Sequence, residues 1–202
     1  MTRAAAAGKM PAMLASVLTW SRLPLAAAFA AATAWAAART GPARLDWPWA
    51  ALLLALAALI ELTDMLDGYV ARRRGTANLL GGLADPLCDS LSRLTVYFAV
   101  ALAGWLPLAV PLVMVVRDIV VAYVRIVHAH AGGRTSARLS GKLKAIVQGA
   151  GILAVVVLAA VGASWAEPAR TAVGLGVIAV TLWSLYDYAR SGLASVAALR
   201  GR

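Results

Sequence analysis

The chain has 202 residues, of which 62% are hydrophobic and only 14% are charged, and its formal net charge is +10. A soluble domain of this length would carry about a quarter charged residues and somewhat less than half apolar ones. This composition excludes an ordinary soluble protein, because one core cannot hide so much apolar surface from water, and it favours a membrane protein.

The N-terminal region carries Arg3 and Lys9 ahead of an Ala-rich run, as a secretory signal would. Arg22 and Pro24 would fall inside the core of such a signal, so we expect this segment to remain as a membrane helix. Arg22 lies near the end of that helix, where we expect its side chain to reach water by snorkelling.

Charge-poor runs predict six membrane spans, since a helix needs about 20 mostly apolar residues to cross a bilayer. Gly104, Pro107 and Pro111 divide the uncharged run 94–116 into two helices, because proline removes a backbone hydrogen bond that lipid cannot replace. The fold class is therefore an all-α integral membrane protein with six transmembrane helices in a single domain, residues 1–202. The predicted spans are about 16–38, 48–74, 83–103, 108–130, 143–165 and 171–189.

The basic residues indicate how the chain is oriented. With six spans both termini lie on one side of the membrane, and of 19 Lys and Arg residues only Arg39, Arg44 and Arg170 fall toward the other side. Positive charge marks the cytoplasmic side. We therefore predict a multi-pass protein of the cell (inner) membrane with both termini in the cytoplasm. The positive charge is then topological, and no nucleic-acid partner is expected.

The segment "DMLDGYVARRRGTANLLGGLADPLCD", residues 64–89, holds four of the nine acidic residues. Asp64 and Asp67 are three apart, and Asp85 and Asp89 are four apart, so each pair lies on one face of a helix. Carboxylates clustered near hydrocarbon are costly unless a cation neutralises them. Oxygen ligands of this kind suit Mg²⁺ or Mn²⁺. The alternative is an interfacial ion network with the arginines at 72–74.

Small and basic residues lie between the two acidic pairs. Gly68 and Ala71 leave the helix face beside the acids bare, so a ligand can approach the backbone. Arg72 supplies a planar fork suited to phosphate. Gly81 and Gly82 loosen the entry to the third helix.

The pattern "D64-M-L-D67-G68-Y-V-A71-R72", eight residues, then "G81-G-L-A-D85-P-L-C-D89" resembles the full signature of the CDP-alcohol phosphotransferase family. The resemblance implies a six-helix membrane enzyme, commonly a homodimer, with its active site at the cytoplasmic interface. Such enzymes transfer a phosphatidyl-type group from a CDP-linked donor, here CDP-diacylglycerol, to an alcohol and release CMP.

The resemblance also implies roles for individual residues. Asp89 would be the catalytic base for the acceptor hydroxyl. The metal ligands, for two Mg²⁺ or Mn²⁺ ions, would be Asp64, Asp67, Asp85 and Asp89. The CDP-binding residues would be Gly68, Ala71, Arg72, Asn78, Gly81 and Thr19.

A second basic group is predicted to bind the acceptor. Arg117 and Arg125 lie eight apart on nearly the same helix face, and buried arginines without acidic partners favour a phosphate. The predicted acceptor-binding residues are Arg117, Arg125, Arg138, Lys142 and Lys144. The alternative is that Arg117 pairs with Asp118 or Asp187 and that the others are topological charges.

Within the family, "RD…R…SGKLKAIVQ" and "VTLWSLYDY" resemble the phosphatidylglycerophosphate synthase branch, whose acceptor is glycerol-3-phosphate. Ser90 and Ala145 depart from that branch, where Lys and Thr are usual, so inositol phosphate, serine and phosphatidylglycerol stay open as acceptors. The competing class is a membrane cation carrier, which predicts acidic residues spread through the membrane depth.

Overall fold

The structure is a computed structural model that describes residues 3–41, 44–74, 79–130 and 139–200, with side chains for 17–41, 44–66, 85–127 and 139–192. The described residues form helices and turns without any strand, which confirms the all-α class. The six helices are α1 (Arg3–Thr40), α2 (Trp47–Arg74), α3 (Leu79–Leu102), α4 (Ala109–His130), α5 (Leu139–Val161) and α6 (Ala166–Arg200).

The turn between α3 and α4 divides the uncharged run at the predicted place. Gly104 has a φ of 79°, in the left-handed region that favours glycine. The Trp105 amide then donates to the Val100 carbonyl at 2.9 Å. At the other end of α3 the structure differs from expectation, because Gly81 and Gly82 lie inside the helix and not in the connection. Glycine lowers helix propensity by only about 1 kcal/mol, which flanking helix formers can offset.

The helices pack as a closed ring. α1 packs between α2 and α3, α5 between α2 and α6, and α4 between α3 and α6. The core contains Phe29 from α1, Leu53 from α2, Tyr97 from α3 and Val155 from α5. The ring therefore brings α1, α2, α3 and α5 together although they are far apart in the chain.

The two ends of the ring differ. At one end, the Leu45 amide donates to the Ala159 carbonyl at 2.9 Å, and the Arg44 side chain packs against Gly162. The connections α1–α2, α3–α4 and α5–α6 lie at this end. Asp64, Asp85 and Asp89 therefore lie toward the opposite end, where α2 ends and α3 begins.

Among the residues whose side chains are described, four helices have stretches long and apolar enough to cross a membrane: Val17–Thr40, Trp47–Leu66, Leu139–Val161 and Ala166–Gly192. The described parts of α3 and α4 are not among these stretches, and each carries three charged residues. Large apolar side chains are exposed along the helices, including Trp20, Leu59, Ile119 and Leu182. Such a surface is suited to lipid rather than to water.

Candidate active site

Arg22 of α1 lies between the two acidic pairs. Its Nη1 is 2.9 Å from Asp64 Oδ1 of α2, and its Nη2 donates to Asp85 Oδ1 of α3 at 3.0 Å. Its side chain is 1% exposed. The prediction that Arg22 snorkels to water is therefore wrong, because two carboxylates from neighbouring helices neutralise it inside the ring.

Arg93 of α3 holds the third described carboxylate of the signature. Its Nη2 donates to Asp89 Oδ1 at 2.9 Å. Its Nη1 donates to Glu61 Oε1 of α2 at 2.9 Å and to the Ala145 carbonyl of α5 at 3.3 Å. Arg93 is 8% exposed, whereas a topological charge at the membrane surface was predicted at this position.

Glu61 was also missed by the sequence reasoning. Its position three residues before Asp64 on α2 was the available signal, since residues three apart share a helix face. Likewise, Arg93 lies four residues after Asp89, the spacing of an intrahelical ion pair. Local spacing did not reveal that both side chains turn inward and meet.

A small cavity of about 20 Å³ lies among these groups, with room for one or two water molecules. Tyr97 donates its hydroxyl to the Gln148 carbonyl at 2.7 Å, and the Gln148 side-chain amide donates to Thr181 at 3.1 Å. The cavity is lined by Arg22, Ala57, Ile60, Glu61, Asp64, Asp89, Ser92, Arg93, Val96, Tyr97, Gln148 and Ile152.

The structure thus brings together Asp64, Asp85 and Asp89, three of the four predicted metal-binding carboxylates. Each of them forms an ion pair with Arg22 or Arg93. Among the described side chains, no three acidic, histidine or cysteine groups lie close enough to share an ion. Thr19 is buried on α1, one turn before Arg22. The other predicted site residues of this region lie outside the described side chains: Asp67, Gly68, Ala71, Arg72, Asn78 and Gly81. The arginines at 72–74 also lie outside them.

The predicted acceptor residues lie beside a carboxylate. Arg117 donates from Nη1 to Asp118 Oδ1 at 2.8 Å and from Nη2 to the Ser184 hydroxyl at 2.8 Å. Lys144 Nζ donates to the same Asp118 oxygen at 3.1 Å. The pairing of Arg117 with Asp118 is the one that the alternative interpretation anticipated. Asp187 instead accepts from the Ser140 hydroxyl at 2.6 Å.

Tyr188 of α6 connects the remaining members of this group. The guanidinium carbons of Arg117 and Arg125 lie 5.3 and 5.9 Å from the centre of its ring. Lys142 is exposed, and Arg138 lies outside the described residues. We call Arg117, Arg125 and Lys144 the cationic cluster.

Ser90 connects the cationic cluster to the carboxylates. It follows Asp89 directly in α3, and its side chain interacts with Asp118. Lys144 also interacts electrostatically with Asp89. The two groups that the sequence separated by tens of residues are therefore neighbours at one end of the ring.

Comparison with known proteins identifies similar chains. A family model described as CDP-alcohol phosphatidyltransferase matches residues 12–198. A protein of Pectobacterium atrosepticum is 30% identical over 156 residues, which cover 71% of this chain and 80% of that protein. A protein of Escherichia coli is 30% identical over 148 residues, covering 70% and 77%. A protein of Treponema pallidum is 29% identical over 142 residues, covering 65% of each. All three are named CDP-diacylglycerol--glycerol-3-phosphate 3-phosphatidyltransferase.

Proposed function

Since the chain belongs to the CDP-alcohol phosphatidyltransferase family, we propose that it transfers a phosphatidyl group from CDP-diacylglycerol to glycerol-3-phosphate and releases CMP. The observation that carries this proposal is that Arg93 donates both to Asp89 and to the Ala145 carbonyl, which places the signature carboxylates next to Lys144 of the cationic cluster. The carboxylates suit metal ions that would bind the diphosphate of the donor, and the cationic cluster suits an acceptor that carries its own phosphate.

Carboxylate oxygens are ligands that suit divalent metal ions, which this family generally uses. Asp64 and Asp85 already share one cation, the Arg22 guanidinium, so they lie close enough to converge on positive charge. We propose that two ions, Mg²⁺ or Mn²⁺, are held by Asp64, Asp67, Asp85 and Asp89. Such ions neutralise the diphosphate and the departing CMP.

Asp89 is proposed as the base. Arg93 occupies Oδ1, which leaves Oδ2 to accept the proton of the acceptor hydroxyl. The acceptor oxygen then forms a bond to the phosphatidyl phosphorus, and the bond from that phosphorus to the oxygen of CMP breaks. The nucleotide would lie along Thr19, Gly68, Ala71, Arg72, Asn78 and Gly81.

The acceptor phosphate is proposed to bind at Arg117, Arg125, Arg138, Lys142 and Lys144. Asp118 neutralises only part of the positive charge of the cationic cluster, so an excess is left for an anion. Asp118 also orients Arg117 and Lys144, which prepares their remaining N–H groups for phosphate oxygens.

The chain is an integral membrane protein, and we propose that all six helices span the inner membrane. α3 and α4 each contain one internal ion pair, Arg93 with Asp89 and Arg117 with Asp118, which lowers the cost of placing those charges in the bilayer. Both termini and the active site would then face the cytoplasm. A homodimer stays a prediction from the resemblance.

The test is CMP release by the purified protein in lipid nanodiscs supplied with CDP-diacylglycerol. Glycerol-3-phosphate, inositol phosphate, serine and phosphatidylglycerol are compared as acceptors, each with Mg²⁺, Mn²⁺ or a chelator. We expect release with glycerol-3-phosphate that the chelator abolishes. A preference for another acceptor would overturn the acceptor assignment, and no release with any acceptor would overturn the proposed function.

A further inference from the structure

We propose that Glu61 and Arg93 form a positioning pair that holds Asp89 ready to act as the base. Neither residue belongs to the family signature, which spans residues 64–89. The inference rests on the proposed function, in which Asp89 takes the proton of the acceptor hydroxyl. It assigns two further residues to that reaction, and both act through Asp89.

Arg93 holds one oxygen of the Asp89 carboxylate, Oδ1, in a fixed position. Its Nη2 donates to Asp89 Oδ1 at 2.9 Å, while its Nη1 is fixed by Glu61 at 2.9 Å and by the Ala145 carbonyl at 3.3 Å. Because the guanidinium is planar, fixing one end of it fixes the direction in which the other end points. The Asp89 carboxylate is therefore held by three helices, α2, α3 and α5, although it lies on only one of them.

Burial restricts the movement of the Arg93 side chain and its two carboxylate partners. Arg93 is 8% exposed, whereas Glu61 and Asp89 are each about a third exposed at 32% and 31%. One carboxylate balances the charge of the buried guanidinium, so when Asp89 takes up a proton, Glu61 is the group that still neutralises Arg93 inside the ring. Glu61 is thus the counter-charge that keeps Arg93 in place while Asp89 is engaged with substrate.

A glycine of α5 makes room for this arrangement. A Cβ at Gly149 would lie 3.0–3.1 Å from the Glu61 carboxylate atoms, which is tighter than ordinary contact. The Glu61 carboxylate therefore rests on the bare backbone of α5 at the level where Arg93 meets Ala145. Gly149→Ala shifts Glu61 without altering any charge.

Gly176 offers the matched control for that variant. It lies on α6, and a Cβ there would meet nothing within 4 Å. Gly176→Ala makes the same chemical change in a helix at a position with open space. We expect it to leave turnover unchanged.

The experiment measures kcat, both Michaelis constants, Mg²⁺-dependent binding of CDP by calorimetry, and the thermal midpoint. The variants are Glu61→Gln, Arg93→Gln, Arg93→Lys and the double glutamine variant. Positioning changes the chemical step, so we expect Glu61→Gln to lower kcat about tenfold and Arg93→Gln about a hundredfold. The Michaelis constants and CDP affinity should change by less than about twofold, because neither residue is proposed to touch substrate.

Two comparisons separate positioning from a merely structural ion pair. The double variant should match Arg93→Gln alone, because Glu61 acts only through Arg93, and coupled residues give non-additive effects. Arg93→Lys should retain more activity than Arg93→Gln, since its ammonium can still donate to Asp89. Gly149→Ala should lower kcat in the direction of Glu61→Gln, which decides the question even where a charge variant fails to fold.

Each outcome bears on the proposal. Wild-type kcat in folded Glu61→Gln and Gly149→Ala would overturn this inference while the proposed function stands, as would additive losses in the double variant. A decrease confined to the thermal midpoint would assign the pair to stability alone. An inactive wild-type protein would overturn the proposed function and this inference with it.

Discussion

Arg22 and Arg93 each contact two carboxylates while lying almost entirely out of solvent. Breaking one partner of a buried ion pair is costly, because the other charge is left uncompensated in a medium of low polarity. The two arginines therefore stabilise the end of the ring and also determine where the carboxylate oxygens point. At the scale of single residues, structure and reactivity depend on the same contacts.

The first prediction concerns Asp89→Asn. Asparagine keeps the size of the side chain but cannot accept the proton of the acceptor, so we expect kcat to fall by about 10²–10⁴-fold. Binding of CDP-diacylglycerol should remain largely intact, because Asp64, Asp67 and Asp85 are proposed to hold the ions at the diphosphate. Turnover near the wild-type value would remove Asp89 from the role of base.

The second prediction concerns Arg125→Ala in the cationic cluster. A charge-assisted hydrogen bond to phosphate contributes roughly 1.5–3 kcal/mol, so the Michaelis constant of glycerol-3-phosphate should rise about tenfold or more, at about 1.4 kcal/mol per decade. The constant of CDP-diacylglycerol should hardly change. Arg125 is preferable to Arg117 for this test, since Arg117 also bonds Asp118 and Ser184.

The control for Arg125→Ala is Arg39→Ala, which removes an arginine at the opposite end of the ring, where its guanidinium lies over Trp35. Both acceptor and donor constants should be unaffected by it. Equal constants in the wild type and the Arg125 variant would indicate that the cationic cluster is topological charge.

At the scale of elements, glycines on α5 determine how closely its neighbours approach. A Cβ on Gly149 would press on Glu61 of α2, and one on Gly151 would lie 2.9 Å from the Tyr97 hydroxyl of α3 and 3.0 Å from Val177 of α6. Tyr97 in turn donates to the Gln148 carbonyl. α5 is therefore the helix against which α2, α3 and α6 are aligned.

The third prediction concerns Gly151→Ala. Overpacking a filled interface costs typically about 1–3 kcal/mol, so the variant should unfold at a lower temperature in the same detergent. The Gly176→Ala variant again serves as control, and because alanine is a better helix former than glycine by about 1 kcal/mol, its midpoint should stay equal or rise. Equal midpoints for the two variants would contradict the close approach at Gly151.

At the scale of the whole molecule, the ring has a polar end and an apolar body. Asp64, Asp85, Asp89 and the cationic cluster lie toward the end where α2 and α4 end and α3 and α5 begin, and apolar side chains are exposed along the helices. This arrangement gathers Asp64, Asp85 and Asp89 at one end of the ring, whereas a cation carrier would have acidic residues spread through the membrane depth. It is suited to an enzyme whose donor is a lipid and whose acceptor is soluble in water.

The fourth prediction concerns topology. In a Cys88→Ser background, a cysteine at position 43 should react with an impermeant reagent from outside the inner membrane, and one at position 76 only after the membrane is opened. The physical reason is the bias of positive residues to the cytoplasmic side. Labelling of position 43 from the cytoplasm alone would contradict the six-span arrangement.

The sequence by itself determined the features that depend on local order along the chain. Apolar composition required a membrane-type helical protein, Gly104 with its neighbouring prolines required the turn between α3 and α4, and the spacing of the aspartates identified the family. These properties follow from helix periodicity and backbone chemistry, which act over a few residues. They needed no knowledge of which helices are neighbours.

Only the tertiary structure decided which charges meet. Arg22 was predicted to reach water, Arg93 was counted among topological charges and Glu61 was given no role, yet these three side chains organise the carboxylates. Arg22 and Asp85 are 63 residues apart in the chain. Helix periodicity relates only residues a few positions apart, so it could not predict this contact. An arginine in an apolar helix can reach water or a buried carboxylate, and the choice depends on which helices the ring places beside it.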